Sequence, residues 1–169
     1  AMLRLHFPGL LSDDPAWAPR AAALAEKCWE LTAFLTDVRG VEAVESGFKG
    51  SVTYHDSCAG LRELGVQDQP RKLLASIDGL TMKHHATVDV CCGFGGTFCI
   101  KYGEISTAMT DAKIDAILAT GAGTVVAGDL GCLLAIAGRL SRRGDRVEAR
   151  HVAELLAGMT DGPAIAGGN

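Results

Sequence analysis

The chain of 169 residues lacks a long apolar run, a recognisable secretion signal and a strong excess of either charge. No apolar run approaches the roughly 20 residues that a membrane-spanning helix needs, so we expect no transmembrane segment. Arg4 and His6 interrupt the start of the chain, which argues against a signal peptide and favours a cytoplasmic location. The net charge is −4, and we expect the one basic cluster to solvate a helix end rather than bind nucleic acid: Arg139, Arg142, Arg143 and Arg146.

The composition is that of an ordinary globular protein, with 48% hydrophobic and 21% charged residues. The length is sufficient for one domain with a sizeable core. We divide the chain into a lead-in over residues 1–15, a single domain over 16–160 and a flexible tail over 161–169. Residues 1–2 are interpreted as a cloning remnant.

Strand-like and helical segments alternate along the sequence. The β-type runs cover 51–54, 124–127 and 147–150, and a further strand-like segment lies between Leu80 and Val90. Because strands that alternate with helices form parallel sheets joined by crossovers, the sequence predicts an α/β fold. We expect three layers, with a short, mainly parallel sheet flanked by helices.

A long N-terminal helix is expected to begin at Asp14-Pro15 and end at Gly40. Its apolar residues alternate in steps of four and three, which draws one stripe along a helix. This stripe comprises Trp17, Ala21, Leu24, Cys28, Leu31, Leu35 and Val38. We therefore expect Cys28 to belong to the core rather than to a ligand set.

Six cysteines are the most informative feature: Cys28, Cys58, Cys91, Cys92, Cys99 and Cys132. In a small secreted chain they would indicate disulfides, but with βα patterning and no signal they favour metal or cluster binding. Cys91 and Cys92 are adjacent, follow what we predict to be a short buried strand over 88–90, and continue into the glycine-rich run 93–96. Glycine lets the backbone bend sharply there, and its N–H groups can face an anionic ligand.

Cys58, the Cys91–Cys92 pair and Cys132 each follow the end of a predicted strand and precede a helix. In open α/β sheets these ends lie along one edge, where ligands bind, and a helix N-terminus favours the thiolate. Four nearby thiolates repel one another unless a cation neutralises them, so the pattern indicates iron or zinc. His55 is either a zinc ligand, a hydrogen-bond donor to a cluster sulfur, or a turn residue without such a role, and we expect Cys99 to be a bystander.

Four motifs resemble a known family. They are Tyr54-His55-Asp56-Ser57-Cys58, Leu61-Arg62-Glu63-Leu64-Gly65, Cys91-Cys92-Gly93-Phe94-Gly95-Gly96-Thr97-Phe98 and Gly128-Asp129-Leu130-Gly131-Cys132-Leu133. Together they resemble the LutA-type lactate-utilization iron–sulfur proteins and, more broadly, the cysteine-rich CCG domain shared with the B subunit of heterodisulfide reductases. The similarity extends from about His6 to Leu156.

The resemblance implies a [4Fe–4S] cluster held by Cys58, Cys91, Cys92 and Cys132, in a non-catalytic electron-transfer subunit of a cytoplasmic complex that oxidises L-lactate to pyruvate. Relatives carry two CCG domains, of which this chain holds the second, so the N-terminal CCG domain and the other subunits are the expected partners. Residues expected to surround the cluster are His55, Gly93, Gly95, Gly96, Thr97, Asp129 and Cys99. Two alternatives remain: a structural zinc site in an interaction module, and a thiol enzyme with Cys91 or Cys92 as nucleophile.

The sequence departs from the heterodisulfide reductase pattern at two positions. Asp129 stands three residues before Cys132, where that pattern has a fifth cysteine, and Ala59 stands where relatives often have histidine. We interpret Asp129 as a helix N-cap rather than an oxygen ligand.

Overall fold

Four parallel strands form a single sheet in a computed structural model that describes residues 1–165. In chain order they are β1 (Gly47–Tyr54), β2 (Asp78–Lys83), β3 (Thr124–Ala127) and β4 (Glu148–His151). Their order across the sheet is β2-β1-β3-β4, and every neighbouring pair is parallel. The carboxyl ends of all four strands therefore lie at one edge of the sheet.

Eight helices surround this sheet in the described residues. They are α1 (Phe7–Leu10), α2 (Ala18–Lys27), α3 (Leu31–Ala33), α4 (Asp68–Ala75), α5 (Thr97–Lys101), α6 (Gly103–Ala119), α7 (Leu130–Arg143) and α8 (Val152–Leu156). Three short π-helical segments complete the set, at Met2–His6, Phe34–Val38 and Ala59–Glu63. No helix within residues 1–165 combines the length and apolar character that crossing a membrane requires.

Two cores, one on each face of the sheet, make the fold three-layered. Alternate residues of a strand point to opposite faces, and β3 is buried on both. Val125 packs into the core formed with α6 and α7, whereas Val126 packs into the core formed with α4 and α8. The α/β fold class predicted from the sequence is thereby confirmed.

The long N-terminal helix is interrupted, which corrects one part of the prediction. Helix α2 ends at Lys27, Cys28 is extended (φ −89°, ψ 118°), and the side chain of Glu30 accepts a hydrogen bond from Ala33 N as the cap of α3. Arg4 binds the freed Cys28 carbonyl at 2.8 Å, which stabilises the break. Cys28 is consequently only half-buried.

The residues that face the core in this region are small or polar, and only Ala21 among them belongs to the predicted stripe. They are Ala21, Ala25, Thr32 and Ala33. Leu24 and Leu31, both on the predicted stripe, are exposed. Once the helix restarts at Glu30, the residues on either side of the break no longer share one face.

A turn, not a strand, precedes the cysteine pair. Strand β2 ends at Lys83, and residues 86–89 form turns in which Val90 N donates to Thr87 O at 3.1 Å. The predicted strand over 88–90 is therefore wrong, because its backbone groups bond locally instead of joining the sheet. His85, just after β2, is buried.

Both ends of the described chain are more structured than expected. The lead-in is helical from Met2 onward. At the other end, Ile165 N donates to Ala149 O at 3.0 Å and Arg150 donates to Gly162 O at 3.0 Å, so residues 161–165 are attached to β4. The rest of the expected tail, 166–169, lies outside the described residues.

Candidate metal centre

Three segments meet at the carboxyl edge of the sheet. His55 follows directly after β1, and Cys58 stands at the entrance to the π-helical segment, where Ser57 Oγ accepts from Gly60 N at 3.1 Å. Cys132 lies in the first turn of α7, which follows β3. The Cys91–Cys92 pair arrives through the loop that follows β2.

The backbone at Gly93 fixes the direction of the cysteine pair. Its φ of +90° is a conformation that favours glycine, and a Cβ there would lie 2.6 Å from the carbonyl oxygen of Ser106. Gly93 N donates to Cys91 Sγ at 3.4 Å, so this turn supplies an N–H group to a sulfur atom. Any other residue at position 93 would force the turn away from α6.

Helix α6 holds this turn with side-chain hydroxyls. Ser106 donates to the carbonyl of Gly93 at 2.8 Å, and Thr110 donates to the carbonyl of Cys92 at 2.8 Å. Lys113, at the next position on this face, is 1% exposed and donates to the carbonyl of Thr87.

Sequence reasoning missed this face because it looked for apolar positions only. The apolar residues Ile105 and Ala112 of the same helix are exposed. The available signal was the spacing of Ser106, Thr110 and Lys113, which matches one face of a helix.

His55, Cys92 and Cys132 form the centre of the site. Their ligand atoms all lie within 4.8 Å of one another, and all three residues are buried. Cys92 and Cys132 also belong to the core on the α6–α7 face of the sheet, so they are held by packing as well as by the turn. The structure thus brings together three residues that are at least 37 positions apart in the sequence.

The remaining two predicted ligands, Cys91 and Cys58, lie beside each other on the outer side of this group. Burial raises the pKa of Cys91, and the neighbouring thiols of Cys92 and Cys58 raise it further. Cys91 is half-buried and Cys58 is exposed, so the four cysteines extend from the core to the surface. All four sequence-predicted cysteines therefore gather at one place.

The two buried cysteines, Cys92 and Cys132, differ in the direction of their pKa shifts. Hydrogen bonding with Cys132 lowers the pKa of Cys92, and the nearby His55 ring lowers it further. The interaction with Cys92, together with burial, raises the pKa of Cys132. A bound cation would displace the protons of these two buried thiols and stabilise both as thiolates.

His55 provides the structural test of whether a metal fits. Its side chain is fully buried, and neither ring nitrogen has a hydrogen-bond partner among residues 1–165. Buried polar atoms are normally paired, so two unpaired nitrogens beside two thiols indicate a missing partner. Thiolate and imidazole are ligands preferred by zinc, and thiolates hold iron–sulfur clusters, so the donor set fits either group.

The other residues expected near the site have separate positions. The carboxylate of Asp129 accepts from Cys132 N at 2.9 Å, which confirms it as the N-cap of α7. The thiol of Cys99 donates to Gly96 O at 3.0 Å and stands outside the His55 group. Gly95, Gly96 and Thr97 are exposed around the start of α5.

Comparison with known proteins identifies the family. The profile of the cysteine-rich CCG domain matches residues 52–137, about half of the chain and all four clustered cysteines. The chain belongs to the cysteine-rich CCG domain family. This CCG domain is 46% identical over 155 residues to Lactate utilization protein A of Exiguobacterium sp. strain AT1b. It is also 46% identical over 151 residues to the protein of that name from Bacillus cytotoxicus, and 43% identical over 152 residues to that from Bacillus pumilus.

These alignments cover most of this chain but not most of the relatives. They include 92%, 89% and 90% of the chain, respectively. The chain spans 63% to 64% of the length of these curated relatives, which is less than two thirds.

Proposed function

We propose that this CCG domain holds a [4Fe–4S] cluster and carries electrons within a lactate-utilization system. The observation that carries the proposal is the buried group of Cys92, Cys132 and the unpaired His55, with Cys91 and Cys58 beside it. Four thiols are the number that a [4Fe–4S] cluster requires. The name shared by the relatives supports the biological setting.

Cys58, Cys91, Cys92 and Cys132 would hold the cluster. When bound, the cluster would accept and release single electrons. The protein contributes the ligands, the N–H group of Gly93 aimed at Cys91 Sγ, and burial of the inner half of the site. His55 would donate a hydrogen bond to a sulfur atom, which is one of the interactions that tune such centres.

The partial exposure of the site is consistent with electron transfer. Cys58 lies at the surface while Cys132 is buried, so one side of the centre would face solvent or a partner. A partner bound at the Cys58 side could exchange electrons with the centre through a short path. We propose that a second CCG domain and further subunits of a lactate-utilization complex supply this contact.

The free cysteines also support a proposal for the cellular compartment of the protein. All six cysteines, which lie within the described residues, are free. Free thiols that serve as ligands persist in reducing compartments, which supports a cytoplasmic setting.

A structural zinc site is the second candidate, favoured by the same three-residue group. His55, Cys92 and Cys132 with either outer cysteine would give the four nitrogen and sulfur ligands of a tetrahedral zinc site. Such a site would stabilise the fold and carry no electrons.

Anaerobic purification followed by metal analysis and a visible spectrum separates the candidates. The proposal predicts iron with inorganic sulfide and a broad brown absorbance that bleaches on reduction by dithionite. Stoichiometric zinc in a colourless protein would contradict the cluster proposal and support the structural zinc site. A protein that takes up neither metal under reconstitution, yet has a rapidly alkylated cysteine, would overturn both in favour of thiol chemistry.

A further inference from the structure

Lys113 is a buried cation beside the cysteine centre. It lies on α6, one turn beyond Thr110, whose hydroxyl holds the carbonyl of Cys92. Its side chain is 1% exposed, and its ammonium donates to the carbonyl of Thr87 in the loop before the cysteine pair. Lysine is rarely buried to this degree without a negative partner.

No carboxylate forms an ion pair with Lys113 within residues 1–165. The carboxylate of Asp56 is committed to Arg71 through two bonds of 2.9 and 2.6 Å, and Asp89 is exposed to solvent. Burial lowers the pKa of Lys113, and Cys92 is the first of the neighbouring groups that oppose this effect. Lys113 binds the carbonyl of Thr87 and Thr110, on the same face of α6, binds the carbonyl of Cys92, so the ammonium lies on the side of the cysteine centre that faces α6.

The neighbouring histidine adds no competing charge. His85 is buried, and its Nδ1 lies 3.2 Å from the hydroxyl of Thr87. Burial, together with Lys113 and His55, lowers the pKa of His85 to about 4, so its ring is neutral at pH 7. Lys113 is thus the basic side chain on the inner side of the site.

We propose that the Lys113 ammonium is the built-in counter-charge of the thiolate metal centre: it strengthens metal binding and raises the reduction potential of the bound cluster. The inference rests on the proposed function. Four thiolates with a divalent ion, or with a cluster, carry net negative charge, and a cation in a low-dielectric interior stabilises that charge strongly. Each electron added to the centre increases its negative charge, so Lys113 stabilises the reduced state more than the oxidised state.

Lys113 acts through space on the ligands, so it is a positioning and charge-setting residue rather than a ligand. A purely structural role would require only its bond to Thr87 O. The two roles differ in the reduction potential, which follows the charge at position 113 rather than the bond to Thr87 O. Methionine fills the same volume without charge, whereas arginine keeps the charge.

The experiment uses wild type, Lys113→Met, Lys113→Arg and, as a control, Lys72→Met at an exposed position paired with Glu42. In the first measurement, metal-free protein is titrated with Co²⁺ against a chelator, and circular dichroism verifies that each variant is folded. We expect Lys113→Met to bind Co²⁺ roughly 10-fold more weakly or worse than wild type, while Lys113→Arg and Lys72→Met stay within a factor of about three. Equal affinity of Lys113→Met and Lys72→Met would overturn the inference.

The second measurement is a redox titration of the reconstituted iron proteins, with electrons supplied by dithionite and removed by ferricyanide. We expect the ratio of reduced to oxidised centre at a given potential to fall at least tenfold in Lys113→Met, which is about 59 mV for one electron. An unchanged potential in a folded, iron-loaded Lys113→Met would contradict the proposal. If wild type binds Co²⁺ but assembles no cluster, the proposed function fails and the Co²⁺ comparison still decides the role of Lys113. If wild type binds neither, both fail.

Discussion

Helices α6 and α7 pack side by side on the same face of the sheet, yet they bury opposite kinds of residue. The buried face of α7 is apolar, with Leu133, Ile136 and Leu140 in the core. The buried face of α6 begins with Ser106, Thr110 and Lys113 and becomes apolar only at Ile114 and Ile117. One helix therefore supplies the core, while the first half of the other supplies partners for the loop that carries two cysteines.

The two helices are also joined by ion pairs that involve the second half of α7. Arg139 of α7 binds Asp111 of α6 through two bonds of 2.7 Å, and Arg143 pairs with Asp115 at 2.7 Å. We expected the basic cluster to solvate a helix end, but two of its residues, Arg139 and Arg143, form these ion pairs between α6 and α7. The comparison teaches that a polar buried face on a helix indicates a loop or ligand that needs hydrogen bonds.

Cys92 lies where the two helices meet, so its replacement should have the largest effect on the metal. Thr110 of α6 holds its carbonyl, and Cys132 of α7 lies beside its thiol. We expect Cys92→Ser to lose essentially all iron after anaerobic reconstitution, because a ligand is removed at the buried side. Cys28→Ser, which changes a half-buried cysteine outside the group, should retain iron. Equal iron contents in the two variants would contradict the ligand assignment.

A cavity in α7 should cost stability and leave the metal unaffected. Leu140 is fully buried and lies at the far end of the helix from Cys132. Leu140→Ala should lower the free energy of unfolding by about 2–5 kcal/mol, measured by urea denaturation. Iron bound per folded chain should match wild type. Leu134→Ala, at an exposed position of the same helix, serves as the control and should be nearly neutral.

A change in α6 should have the opposite pattern. Thr110→Val removes the hydroxyl that binds the Cys92 carbonyl while keeping the shape of the side chain. We expect it to lower the free energy of unfolding by only about 1–3 kcal/mol, and to reduce iron retention during dialysis because the cysteine loop loosens. The matched control is Thr107→Val, at an exposed position of α6. Should Thr110→Val retain iron as well as its control does, the loop would not depend on α6.

The smallest effect is expected at the start of α7. The carboxylate of Asp129 binds Cys132 N at 2.9 Å, so Asp129→Ala should lower the free energy of unfolding by about 0.5–2 kcal/mol. Asp129→Asn, which can still cap the helix, should be close to wild type in both stability and iron content. Loss of iron in the asparagine variant would show instead that Asp129 is an oxygen ligand.

Much of the fold was predictable because strands and caps leave local signals. The strand 124–127 and the cap at Asp129 both appear in the structure, since each depends on neighbouring residues alone. The break at Cys28 was not predictable in this way. It depends on Arg4, which is distant in sequence and binds the carbonyl that the break frees.

The clustering of the cysteines was predictable from the sequence, but the residues that hold the cysteine loop in place were not. Cys58 and Cys132 converge because the strands before them end at one edge of the sheet, whereas Cys91 and Cys92 reach that edge through the loop after β2. The burial of Lys113 and His85 depends on the turn over 86–89, and no local sequence pattern predicts that turn.

The most direct test of the central claim is a Mössbauer spectrum of the chain reconstituted anaerobically with ⁵⁷Fe and sulfide. The account predicts one exchange-coupled cluster containing about four irons per chain in wild type, and none in Cys92→Ser. Mononuclear high-spin iron, or the same cluster signal in Cys92→Ser, would contradict it.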